Sequence, residues 1–180
     1  MRRSIRELDA LDRAVYTAIA ATPTPTLDLR LRQISNAANH SRLWFGVAGG
    51  LGAVGQRQAA LQGLAAIGVA SAVANLVIKP LLVRRRPDRA VVAVARQVRM
   101  PVSTSFPSGH AASAFAFAAA TGAECPPTSL PLHLAATAVA YSRVHTGVHY
   151  PSDVVIGAVI GTVAGGLVHR SLRRRLERRG

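Results

Sequence analysis

Apolar residues run along this chain in blocks. Residues 59–78, AALQGLAAIGVASAVANLVI, form an uncharged stretch of 20 residues, enough for a helix to cross the hydrocarbon core of a bilayer. Shorter blocks occupy residues 44–55, 109–123, 130–141 and 154–168. At about 1.5 Å per residue the 15 residues of 109–123 reach roughly 22 Å, against a core of about 30 Å. These shorter blocks span only if their flanks extend the helix. Helices that are apolar all round belong in lipid more readily than in so small a globule. The pattern therefore predicts an all-α, integral membrane bundle of about five transmembrane helices. A sixth, built from residues 14–36, would be interrupted by Pro23, Pro25, Asp28, Arg30 and Arg32.

The first forty residues have a different pattern. Leu8, Leu11, Val15 and Ile19, then Leu27, Leu31 and Ile34, recur at helical spacing with charges between them. Pro23 and Pro25 separate the two pieces. This predicts two short amphipathic helices lying at the membrane surface. The chain then divides into an interfacial segment (1–41), a bundle carrying the site (42–170) and a basic tail (171–180), all in one domain. Within the bundle, Gly157, Gly161 and Gly165 repeat every four residues, and Gly46 with Gly50 does the same. In lipid such spacing lets helix backbones approach closely.

Charge narrows the partners. The formal net charge is +14, and Lys79 is the single lysine among 22 basic residues. Such a balance suits either nucleic acid or an anionic membrane surface. Aromatic residues are only 4% of the chain, and long apolar stretches separate the arginine clusters, which argues against nucleic acid. The tail, HRSLRRRLERRG, is suited to lipid headgroups. A lone Cys125 excludes an internal disulfide. After Met1-Arg2-Arg3 the chain runs into ELDALDR, which is not the apolar core of a secretory leader. The expected location is a bacterial plasma membrane. With five spans, fifteen Lys/Arg share one side with the motifs described next, and seven lie opposite. That bias leans towards a cytoplasmic-facing site.

Three motifs stand in order between the apolar blocks. The first is KPLLVRRRP, residues 79–87, a lysine followed seven residues later by Arg86-Pro87. The second is PSGH, residues 107–110. The third is SRVHTGVHYPSD, residues 142–153, with Arg143, His149 and Asp153. Arginine offers a planar fork matched to phosphate oxygens, and Lys79 adds a compact point charge. Ser108 and Gly109 precede an alanine-rich helix, AASAFAFAAA, whose free amides favour an anion. A phosphoryl group in flight needs mostly positioning and charge stabilisation. Asp153, four residues from His149, can fix one ring nitrogen and leave the other as nucleophile. His110, inside the phosphate cradle, is placed to protonate the leaving oxygen. It has no carboxylate close in sequence, so His149 is the better nucleophile. No carboxylate cluster has metal-ligand spacing, which does not contradict the chemistry without metal or cofactor that the family resemblance given next implies.

On these motifs the chain resembles the type 2 phosphatidic acid phosphatase family, membrane lipid phosphatases that share a site with vanadium haloperoxidases. The resemblance implies a haloperoxidase-like helical core and a phosphohistidine intermediate. It implies that Lys79, Arg86, Ser108, Gly109 and Arg143 bind phosphate. It makes His110 the acid and His149 the nucleophile, supported by Asp153. The implied substrate is a lipid phosphate: phosphatidate, phosphatidylglycerol phosphate, polyprenyl diphosphate or a polyprenyl-linked sugar phosphate. The last suits a cytoplasmic-facing site. Two other readings use the same cradle, a vanadate-dependent oxidant and a non-catalytic phospholipid-binding or transport protein. Oligomeric state is open. Outside the pattern, His145 is expected to pack or line the entrance, His133 to be locally satisfied, and His40 and His169 to sit at headgroup level. Arg84, Arg85, Arg89, Arg96 and Arg99 are expected to meet anionic headgroups or the lipid surface.

Overall fold

A computed structural model describes residues 2–178 of the chain. Two helices, α1 (Arg2–Ala21) and α2 (Pro25–Ala37), precede a bundle of α3 (Arg42–Ala53), α4 (Arg57–Ala72), α6 (Gly109–Glu124), α7 (Ser129–His145) and α8 (Pro151–Glu177). Helix α4 continues through a π turn, Val73–Ile78, into the three-residue α5, Lys79–Leu81. Among the described residues there is no strand. Two helical segments are long and apolar enough to cross a membrane, Arg57–Leu81 with 25 residues and Pro151–Glu177 with 27. Basic residues 170–177 are thus the last two turns of α8, not a separate tail.

The bundle is organised around α6, which packs on α4, α7 and α8. Its alanines make this possible: Ala111, Ala112, Ala114, Ala116, Ala118 and Ala120 are fully buried. Side chains this small let three neighbours press against one axis. On the α8 side the glycine repeat does the same from the partner helix. A Cβ on Gly157, Gly161 or Gly165 would stand 2.5, 2.2 and 2.6 Å from the carbonyl oxygens of Ser108, Ala112 and Ala116. The repeat is therefore a backbone-to-backbone seam, as its spacing predicts. Gly46 and Gly50 differ, for a Cβ on either meets nothing within 4 Å. That pair faces open space and carries no packing contact.

α1 and α2 lie across the end of the bundle where the motifs meet. Pro25 opens α2 at a position where its missing N–H costs nothing. α1 docks by its polar face. Asp12, Tyr16 and Ala20 are buried, while Leu8, Leu11 and Val15 point outward at 66%, 62% and 41% exposure. The apolar stripe of α1 therefore faces away from the bundle. Arg96 secures the end of α1: its guanidinium donates to the carbonyls of Ile19, Ala20 and Thr22 and pairs with Asp28 at 2.9 Å. A cation on the last carbonyls of a helix is favourable. This arginine is 2% exposed, so it has an internal role and meets no headgroup.

Candidate active site

Three chain crossings converge at one end of the bundle. The end of α4 and its π turn bring Asn75 and Lys79, the start of α6 brings Gly109 and His110, and the turn after α7 brings His149. Between them lies a cavity of about 180 Å³, also lined by Arg86 and Ser103. Five of the eight residues singled out in the sequence thus line one space. The other three, Ser108, Arg143 and Asp153, are buried in the wall behind it.

Gly147 makes the His149 turn. It ends α7 with φ of +73°, and a Cβ there would meet Arg89 Cγ and Val92 Cγ2 at 2.9 Å. With that reversal the amides of Val148 and His149 both donate to Arg143 O, at 3.1 and 3.2 Å. A left-handed glycine closing a helix in this way satisfies its last carbonyls. The next helix, α8, begins at Pro151 with Asp153 Oδ2 accepting from the Tyr150 amide at 2.9 Å. Nucleophile candidate and carboxylate are thereby held across one tight corner.

His149 is 2% exposed. Its Nδ1 stands 3.5 Å from Asp153 Oδ2 and has no hydrogen-bond partner, while Nε2 lies 3.4 Å from Arg86 Nη1. The carboxylate is near enough to orient the ring electrostatically, and catalytic bonds of this kind are often long before substrate binds. Burial pushes the His149 pKa down to about 4, and Arg143 and Arg86 add to that, against the upward pull of Asp153. The imidazole is neutral at physiological pH and carries a free lone pair.

Asp153 has further partners that sequence spacing did not reveal. Ser105 Oγ donates to Oδ2, and Arg84 Nη1 donates to Oδ1 at 2.8 Å. Arg84 also reaches Asp12 Oδ2 at 2.8 Å, Asp9 Oδ1 at 2.9 Å and Ser152 Oγ at 2.8 Å, and stacks over the Tyr150 ring. It therefore ties α1 to the corner that holds Asp153. Three like residues stand side by side at 84–86, and only folding sorts them.

Backbone carbonyls and serine hydroxyls hold the candidate phosphate ligands in place. Arg86 donates to the carbonyls of Ser103, Thr104 and Val148 at 2.9, 3.2 and 2.7 Å, and Lys79 Nζ to Ser103 Oγ at 3.2 Å. Arg143 is anchored by Ser35 Oγ at 2.5 Å, and its Nε is buried without a partner. Ser108 caps α6, accepting from the Ala111 amide, and its own amide donates to Asp153 O at 2.9 Å. At Gly109 a Cβ would fit against the protein, 3.4 Å from Asn75 Oδ1. What this glycine keeps open is the cavity, where the first-turn amides of α6 have no acceptor within the helix. His110 Nε2 lies 3.0 Å from Asn39 Oδ1, a partner supplied by the turn between α2 and α3.

The remaining histidines separate. His145 packs, buried, with Nε2 3.0 Å from Asp28 Oδ1. His133 is satisfied by Ser129 O at 2.8 Å. His169 is bonded to Gln62 Oε1 at 2.8 Å inside the bundle, and His40 lines the cavity. Neither of these two is a plain headgroup contact. Among the described residues no three His, Cys, Asp or Glu side chains gather to hold a metal ion.

An all-helical membrane protein with this cradle and histidine pair is a hydrolase of phosphate esters. Residues 59–177 match the profile of the PAP2 superfamily, and the chain belongs to that family. It is 38% identical over 149 residues to a decaprenylphosphoryl-5-phosphoribose phosphatase of Mycobacterium tuberculosis, covering 80% of this chain and 81% of that one. The protein of the same name from Mycolicibacterium smegmatis is 36% identical over 155 residues, covering 83% and 80%. Among solved structures, the first transmembrane PAP2 type phosphatidylglycerolphosphate phosphatase from Bacillus subtilis superposes with a TM-score of 0.74 at 25% identity, covering 93% of this chain and 87% of that one. Aquifex aeolicus LpxE gives 0.71 at 24%, covering 87% and 93%.

Proposed function

We propose that the protein removes the terminal phosphate of a polyprenylphosphoryl sugar phosphate, a pentose 5-phosphate carried on a polyprenyl phosphate. The observation that carries the chemistry is His149, with one ring nitrogen towards Asp153 and the other beside Arg86 at the cavity wall. The lipid is proposed by analogy with the mycobacterial relatives, which are decaprenylphosphoryl-5-phosphoribose phosphatases.

In the first step His149 Nε2 attacks phosphorus, the N–P bond forms and the P–O bond to the sugar breaks. Lys79, Arg86, Arg143 and the first-turn amides at Gly109 hold the three equatorial oxygens. His110, as the imidazolium, keeps its Nε2 proton on Asn39 Oδ1 until the leaving oxygen replaces that acceptor and takes the proton, leaving the ring neutral. Positive charge developing on His149 draws Nδ1–H onto Asp153. In the second step water attacks phosphorus, gives its proton to His110, and the N–P bond breaks to release phosphate. No step calls for a metal.

We read five crossings, by α3, α4 with α5, α6, α7 and α8, of which Arg57–Leu81 and Pro151–Glu177 are long enough to span alone. This arrangement has all three motifs on one face. Fifteen basic residues lie on that face and seven opposite, which supports a cytoplasmic-facing site in a bacterial plasma membrane. Lys79, Arg84, Arg86, Arg96 and Arg143 are engaged within the protein, so the usable bias is narrower than the count. The test of function is phosphate release by detergent-purified protein from a polyprenylphosphoryl pentose phosphate, phosphatidylglycerol phosphate and phosphatidate. Release with EDTA present, blocked by vanadate and strongest with the first lipid, is the expected result. Release confined to the glycerolipids would overturn the assignment.

A further inference from the structure

The cavity has a second wall that the phosphate chemistry does not use. Beside the cationic residues the cavity is also lined by Ser41, Ser71, Asn75 and Ser113, all neutral and able to donate and accept hydrogen bonds. Their position is unusual. Ser71 and Asn75 sit in the segment Arg57–Leu81, among apolar residues, and both face the cavity and not a neighbouring helix alone. Ser71, Asn75 and Lys79 are four residues apart, and the π turn Val73–Ile78 falls where they turn into the cavity. Such turns concentrate at functional sites.

Asn75 Nδ2 is held by Ser71 O at 3.0 Å and Ser71 Oγ at 3.1 Å, which orients the amide. Its Oδ1 is turned towards Gly109, at the mouth of the cradle. On the other side His40 and Ser41 adopt left-handed backbone, φ of 54° and 58°. Two such non-glycine residues in succession are costly, and strain of this kind persists where surrounding structure enforces a functional shape. The turn they make delivers Asn39 to His110 and Ser41 to the cavity wall.

A bare lipid phosphate would set hydrocarbon or an ester against this wall, leaving its hydroxyls and amide unmatched. A hydroxylated ring between phosphate and lipid would match it. We infer that Ser41, Ser71, Asn75 and Ser113 form a hydroxyl-recognising subsite for the sugar ring that bears the scissile phosphate. This rests on the substrate reading above and adds the residues that select for it. Sites built to bond a hydroxyl reject analogues lacking it far more strongly than apolar pockets reject an extra methylene.

The experiment compares kcat/KM for a short-chain polyprenylphosphoryl ribose 5-phosphate with that for its 2,3-dideoxy analogue, using full-length protein in detergent. Wild type should prefer the ribose compound by about tenfold or more. Asn75→Leu and, separately, Ser71→Ala should bring that ratio close to one. A ratio, unlike a rate, is not moved by partial misfolding of a variant. If wild type hydrolyses the ribose lipid well but does not discriminate, the subsite is refuted while the substrate stands. If both variants keep the wild-type ratio, the subsite is likewise refuted. If only phosphatidate is hydrolysed, the substrate reading itself fails and takes the subsite with it.

Discussion

Arg84 donates to Asp153 Oδ1 at 2.8 Å, and with its second terminal nitrogen it holds Asp12 and Asp9 of α1. The carboxylate behind the proposed nucleophile, His149, is thus fixed by a residue outside the motif positions. Arg84→Ala is predicted to lower kcat by about 10- to 100-fold, as small misplacements of a reacting group do, with KM changing much less. Arg84→Lys should recover part of the rate, since one ammonium cannot span both carboxylates. A kcat equal to wild type in Arg84→Ala would show that Asp153 needs no such anchor.

His149→Ala should abolish turnover, by about 10³-fold or more, while binding of the lipid phosphate persists. Acid-sensitive, base-stable phosphate trapped on wild-type protein by rapid quenching should be missing from the variant. Trapped label in both would move the nucleophile elsewhere.

Titration of His149 followed by NMR of histidine-labelled protein should give a midpoint near 4, against about 6.5 for an ordinary imidazole. The sign of two variants is fixed by their charges. Arg86→Gln removes a cation and raises the midpoint, whereas Asp153→Asn removes the group that favours the charged ring and lowers it. Below the midpoint the nucleophile is protonated, so activity must fail as pH drops towards 4. A midpoint near 6.5 would mean the ring is far more hydrated than its burial implies.

The glycine seam and the free glycine pair make a matched contrast. Gly161→Ala drives a methyl to 2.2 Å from Ala112 O, and overpacking of this kind costs about 1–3 kcal/mol. Gly46→Ala meets nothing and should be neutral or slightly stabilising, by up to about 1 kcal/mol from helix propensity. Thermal unfolding in detergent separates the two, and equal Tm losses would contradict the seam.

Cys125, at the end of α6 away from the cavity, offers a native label for orientation. With the site facing the cytoplasm, a membrane-impermeant thiol reagent added to intact cells should modify it. Labelling only after lysis would put the site outside.

Much of the site was legible because its chemistry is written in fixed local spacings. His149 and Asp153 flank one proline corner, and Ser108 caps a helix it directly precedes. Arg84 was not legible. Three consecutive arginines have the same sequence environment, and only long-range geometry sends one to carboxylates and another to the cradle. Asn39, Ser35 and Ser105 were missed for the same reason, although the serine-rich run before PSGH was a usable signal. Periodicity announced α1 as amphipathic but could not say which face docks. Its leucines turn away and its aspartates grip the protein, because the partner, Arg84, is a cation. The glycine pairs had equal spacing and unequal fates, since spacing does not say whether a neighbour is present.

The contacts between Asp12 and Ser152 join residues 140 apart in the chain. Synthesis runs from the N-terminus, so α1 is made first and its docking surface nearly last. Until the ribosome has delivered the corner at 150–153, the first helix can meet only its earlier partners, Arg84, Asp88 and Arg96. His149 and Asp153 follow Lys79 and Arg86 by about seventy residues, so the candidate site is completed late, when the oldest segment of the chain folds back over one of its youngest.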